Sequence, residues 1–177
     1  MTAIIEFLQW IYYLTLSMFW TEDKSRQSFR NLLQNSDKIL IIAPLDESAA
    51  KSITVVIKRF VENGKKVTVL VSHASRGSYP NDHRLTYEEF YKADTLFNLF
   101  PKLSFLKKLK ALTFDLVIDL NINGEGINPI LSMPVNAKVK AGICKKNFEK
   151  AYSIRLEKMS GEKQTIPQNC VDLLFRL

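Results

Sequence analysis

Apolar residues fall along this chain in short continuous blocks separated by polar stretches. Residues 38–43 (KILIIA), 66–72 (KVTVLVS) and 114–120 (FDLVIDL) are runs of aliphatic and β-branched side chains, which predicts strands buried on both faces of a parallel sheet. Between the first two, residues 49–62 repeat apolar positions at Ile53, Val56, Ile57 and Phe60. That spacing of three and four predicts a helix with one face on the sheet, stopped by Asn63 and Gly64. Residues 44–48 then form the turn at the carboxyl end of the first strand. Residues 84–112 carry mostly helical patterning, with a short strand at 95–99 and a break at Pro101. Further strands are expected at 138–142, entered from a short helix and closed by Gly142, and at 152–157. Residues 25–35 predict a short basic helix with Phe29, Leu32 and Leu33 inward, and residues 168–177 a last helix. Strand and helix in alternation require right-handed crossovers. The expected class is therefore α/β, a Rossmann-like, largely parallel sheet flanked by helices, with 114–120 near its centre.

Residues 2–20 are nearly all apolar and rich in aromatics, among them Phe7, Trp10, Tyr12, Tyr13, Phe19 and Trp20. On a helix, Thr2, Glu6, Gln9, Tyr13 and Ser17 fall into one narrow polar stripe, and the rest makes a broad apolar face. No Lys or Arg precedes the run and no clear small-residue cleavage site follows it, which argues against a secretory signal. Three roles stay open. The helix spans a membrane, although Glu6 and the stripe shorten the clean apolar run. It lies in the membrane interface, which suits its aromatics and the following Lys24, Arg26 and Arg30. Or it packs on its own domain or on a twin subunit. The expected organisation is an apolar helix with a basic connecting helix over 1–36 and the α/β domain over 37–177.

Charge and candidate chemistry narrow the function only partly. With 177 residues the chain can bury one substantial core, and its net charge of +7 is spread along it. The densest basic patches are Lys107 and Lys108 with Lys102 and Lys110, and Lys145 and Lys146 with Lys150. They read as solvated faces or as sites attracting anionic lipid or a sugar phosphate. No nucleic-acid-binding motif accompanies them, so no nucleic acid partner is expected. Cys144 and Cys170 lack any CxxC or metal spacing; they read as thiols in a reducing cytoplasm, with a single disulfide left open. His73 and His83 sit in a polar loop and read as surface histidines, and no metal site is expected. There is no GxGxxG and no Walker motif, and no cofactor is expected. The loop carrying Asn121, Asn123 and Gly124 follows a strand, so it reads as an ordinary turn or as a ligand contact at the sheet's carboxyl edge.

The ordered set KILIIAP, KKVTVLV, FDLVIDL and NAKVKAGI, with a terminal amphipathic helix, resembles the N-terminal domain of the ADP-heptose lipopolysaccharide heptosyltransferase family. The resemblance covers about residues 37–177. It implies one half of the two-domain GT-B glycosyltransferase fold, a bacterial source, and a cytoplasmic protein peripheral to the inner face of the cytoplasmic membrane. In that family the first strand is followed by a Pro, then a Gly-Asp pair, and the Asp is regarded as the general base for the acceptor hydroxyl. Aligning on Pro44 puts Ser48 at the Gly and Ala49 at the Asp. Asp46 and Glu47 are the nearby carboxylates, displaced by two or three residues, and they also read with Ser48 as helix-capping groups.

The family's nucleotide-sugar donor sits mainly on a C-terminal domain, which this sequence does not show. Two functions follow from the resemblance. One is a non-catalytic relative of the acceptor-side domain, binding a glycan or sugar phosphate or scaffolding at a membrane surface in cell-envelope glycan synthesis, with residues 1–20 as its membrane or self-association element. The other is a glycosyltransferase with Asp46 or Glu47 as base, active only when a partner chain supplies the donor domain. Displacement of the acid favours the first.

Overall fold

A computed structural model describes residues 2–18, 34–45, 49–97, 99–121, 127–143 and 147–156. Six strands form one parallel sheet: β1 (Lys38–Ile42), β2 (Lys66–Ser72), β3 (Leu85–Phe90), β6 (Thr113–Asp119), β7 (Asn136–Ile143) and β8 (Ile154–Leu156), in the order β3-β2-β1-β6-β7-β8. A separate antiparallel pair joins β4 (Thr95–Leu96) to β5 (Phe100–Pro101). Four α-helices lie wholly within the described residues: α1 (Thr2–Ser17), α2 (Ala50–Glu62), α3 (Leu103–Lys110) and α4 (Ile127–Ser132). This is the expected α/β class, with β6 at the centre of the sheet beside β1.

The continuous apolar strands are buried on both sides because helices cover both. On one face α2 sets Ile53, Val56, Ile57 and Phe60 against Ile39, Ile41, Val69 and Ile118. Each such side chain contributes about 1.5–3 kcal/mol when fully removed from water. Gly64, at φ 74°, ends α2, with its N–H on the Val61 carbonyl and that of Lys65 on Phe60. On the other face α1, α3 and α4 pack Tyr13, Leu106, Leu109 and Ile130 against Leu40, Ile42, Leu70 and Val117.

Two expectations are corrected. Residues 85–90 are an edge strand, not part of a helix. Its charged residues mimic a helical spacing, yet they are satisfied from outside the strand: Lys108 pairs with Glu88 at 2.8 Å, and His73 with Glu89 at 2.6 Å. The polar stripe of α1 is also buried in part, although Glu6 on it stays exposed. Gln9 and Tyr13 are 6% and 1% exposed, whereas Ile4, Phe7, Leu8 and Ile11 face outward. The reason is specific partnering: Gln9 Nε2 donates to the Leu99 carbonyl at 3.1 Å, the Tyr12 hydroxyl to Pro101 at 2.7 Å, and Tyr13 packs edge-on against Phe148. Of the open roles for this helix, packing on its own domain is seen. Among the described residues no helix is long and apolar enough to cross a membrane. The expected helices at 25–35 and 168–177 lie outside the described residues, apart from 34 and 35, which are helical.

Phe97, at the turn of the β4–β5 hairpin, has φ 55°. A bulky side chain in the left-handed region costs about 1–2 kcal/mol.

The amino edge of the sheet is tied by one carboxylate. Asp115 accepts the backbone N–H groups of Asp37 and Lys38 at 3.0 and 2.9 Å and pairs with Lys138 at 2.7 Å. Lys138 first, then the Lys38 N–H, hold its pKa down to about 2. Against an unfolded value of about 3.9, the stabilisation is complete above that value and is lost as pH falls through about 2. Asp115→Asn should therefore unfold more readily at neutral pH, by on the order of 1–2 kcal/mol, and the gap from wild type should close at low pH. Urea titrations at neutral pH and near pH 2 check this.

Candidate functional site

The strand order fixes where a ligand can enter. From β1 the chain moves outward to β2 and β3 and then returns to the other side of β1 as β6, so the loops at the carboxyl ends of β1 and β6 diverge. Open α/β sheets bind ligands at such a point. Here a cavity of about 540 Å³ opens over the carboxyl ends of β1, β2 and β3. Leu45, Phe90 and Ile127 give it an apolar wall, and Ser75, His73, Tyr91 and Lys92 bring polar groups to it.

The polar side is organised around Glu89. Its Oε2 lies 2.6 Å from His73 Nδ1, and Arg76 Nε is 3.8 Å from Oε1. A carboxylate can only accept, so Nδ1 carries a proton and donates to Glu89. The imidazole stacks on Tyr91 at 4.5 Å between centroids, which fixes its plane. Arg76 in turn lies 3.6 Å over the Tyr87 ring. Burial pushes the Tyr87 phenol pKa up, and its hydroxyl donates to Pro80 at 2.7 Å, so it stays a neutral donor. A cavity with an oriented imidazole, a phenol and an ammonium group can recognise hydroxyls and an anionic group.

Beneath the switch point lies a second polar cluster, fully buried. Asp119, 1% exposed, accepts the backbone N–H of Asn121 at 2.9 Å and Asn128 Nδ2 at 3.1 Å on Oδ1. Its Oδ2 accepts the Tyr152 hydroxyl. Asn128 Nδ2 also reaches the Ala43 carbonyl at 3.3 Å, joining α4 to the end of β1. Gly142 is required here: a Cβ would come within 2.7 Å of the Tyr152 ring and 3.0 Å of Asp119 Cβ.

Of the sequence-derived candidates for the site, Asn121 alone lies among the described residues. Asp46, Glu47, Ser48, Asn123 and Gly124 lie outside the described residues, as do Cys144 and Cys170. Leu45, just before the first three, lines the cavity, and Ala49, just after them, caps α2 without a side-chain bond. Asn121 is buried against Asp119 rather than lining the cavity. His83 stands in solvent 3.7 Å from Asp82. His73, Glu89, Tyr91 and Lys92 were the residues missed. The available signal was His73 directly after the strand 66–72, where a parallel strand delivers its next side chain to the ligand edge. Among the described residues no three His, Cys, Asp or Glu side chains are grouped to hold a metal.

This is a Rossmann-like α/β domain with an apolar-walled cavity at its carboxyl edge. No protein-family profile matches the chain, and no curated protein does. Among solved structures, Escherichia coli heptosyltransferase WaaC with ADP matches with a TM-score of 0.59 and 13% identity, over 75% of this chain and 45% of that one. A glycosyl transferase family 9 structure from Veillonella parvula matches with a TM-score of 0.55 and 14% identity, over 78% and 41%. The chain spans less than half the length of either, and the likeness is one of fold.

Tyr152→Phe tests the buried cluster. It removes one donor to a buried carboxylate and should cost about 1.5–3 kcal/mol in urea unfolding. Tyr12→Phe, whose half-buried hydroxyl meets a neutral carbonyl, should cost about 1 kcal/mol.

Proposed function

We propose that this chain is a glycosyltransferase-related domain that holds a sugar or sugar phosphate in the carboxyl-edge cavity, as a binding module of cell-envelope glycan synthesis, and does not transfer sugar by itself. The observation that carries this reading is the cavity, with the stacked His73 and Tyr91 and with Lys92 lining it beside an apolar wall. Hydroxyls suit the imidazole and phenol, sugar C–H faces suit the aromatic and aliphatic wall, and Lys92 suits a phosphate. Likeness of fold to a heptosyltransferase and a family 9 glycosyl transferase supports the class. Lack of transfer is supported by Ala49, which stands where the resembling family has its base. Losing a general base costs about 10²–10⁴-fold in rate.

One observation favours the second reading, a transferase working with a donor domain from a partner chain. His73, hydrogen-bonded to Glu89 through Nδ1, lines the cavity, and an imidazole there is the group that would serve as base in place of the displaced carboxylates.

Ligand-observed NMR with a heptose phosphate separates these readings from an empty fold. Binding is expected, weakened roughly tenfold or more by Lys92→Ala and by Ala93→Trp, which fills the cavity. No binding of heptose phosphate or of other hexose phosphates would refute the ligand reading. Transfer from ADP-heptose that is lost in His73→Gln would replace the binding module with the transferase.

A further inference from the structure

Ten large apolar side chains stand exposed among the described residues, and all but Val55 and Tyr91 belong to α1, the β4–β5 hairpin and the start of α3. On α1 they are Ile4, Phe7, Leu8, Ile11 and Met18, on the face opposite buried Gln9, Tyr13 and Leu16. Thr15, on the same outer face, turns its hydroxyl back onto the Ile11 carbonyl at 2.8 Å, so that face offers little but carbon. The hairpin stands beside this helix, because Gln9 and Tyr12 bond to Leu99 and Pro101 and the Tyr12 ring meets Phe100 at 5.5 Å. Its tip carries Leu96 and Phe97, and the Phe97 ring is 87% exposed while its backbone is held in the left-handed region. Strain and exposure at one aromatic tip bring no folding benefit; both suit a group made to enter another phase.

We infer that α1 and the hairpin tip dock on an anionic lipid bilayer, with Phe97 inserted among the acyl chains. This is a different surface from the cavity and does not rest on the ligand reading. Charge selects the occupant. The helix α3, which follows the hairpin directly, has Lys107 and Lys110 exposed and Lys102 at its N-cap, and Lys108 beside them is already paired with Glu88. Glu6 is the only charged residue on α1. An apolar helix and an aromatic wedge flanked by lysines match the acyl and headgroup layers of an anionic leaflet. A net charge of +7 makes two copies repel one another, which opposes self-association.

The experiment is flotation of the whole chain with vesicles of phosphatidylcholine alone and of phosphatidylcholine with phosphatidylglycerol. Binding is expected to both, stronger to the anionic vesicles, and only partly reduced by salt. Phe97→Asn accepts the same backbone without strain, so it should keep or raise the melting temperature while lowering vesicle binding about tenfold or more. Phe7→Ser with Ile11→Ser should do likewise, whereas Lys107→Gln with Lys110→Gln should remove the anionic preference and leave the remainder. The inference is overturned if wild type ignores both vesicles, or if Phe97→Asn and Phe7→Ser with Ile11→Ser float as wild type does. A dimer in light scattering that Phe7→Ser with Ile11→Ser splits would assign the face to a second copy instead.

Discussion

The carboxyl edge of this domain is organised around one buried charge. Asp119 ends the central strand β6 between Ile42 of β1 and Gly142 of β7. Withdrawn from water, a carboxylate is costly unless each oxygen is hydrogen-bonded. Among its donors are the Asn121 backbone just beyond the strand, Asn128 on α4 and Tyr152 ahead of β8. Satisfying Asp119 therefore fixes how α4 sits over the sheet, and through the Asn128 contact with Ala43 it fixes where β1 ends. Ile127, next to Asn128, then reaches the cavity wall. A polar constraint in the core thus sets the shape of an apolar surface several residues away.

Much of this fold was legible in the sequence where apolar burial alone decides it. The strands at 38–42, 66–72 and 113–119 and the inner face of α2 follow from runs of Ile, Val and Leu that no exposed element would carry. Legibility failed where a polar residue was buried by a specific partner. Gln9 and Tyr13 look like a solvent stripe until Leu99, Pro101 and Phe148 are placed beside α1, and those residues lie far along the chain. Edge strand β3 failed for the converse reason: Glu88 and Glu89 have weak strand propensity, and pairing with β2 along one side overrides it.

The candidate site was legible in location but not in its residues. A parallel sheet sends ligands to its carboxyl edge, and the loop after β6 was read as a ligand contact on that ground, while the turn after β1 followed from the family resemblance. The groups that converge there, however, come from the loops after β2 and β3, and the contact between His73 and Glu89 spans 16 positions across two strands. Reading 85–90 as helical hid the strand that delivers Glu89 and Tyr91 to that edge.

Cavity wall and hairpin are one stretch of chain. Phe90, Tyr91, Lys92, Ala93 and Thr95 line the cavity, and the next two residues are the exposed tip. The hairpin is steadied by the two-residue pairing of β4 with β5, by the Lys102 N–H on the Asp94 carbonyl at 2.7 Å and by the anchors from α1. A restraint on Phe97 therefore acts on the same backbone segment that carries Tyr91 and Lys92. By linkage, an occupant of the cavity and a restraint on the tip would then change each other's affinity by the same factor.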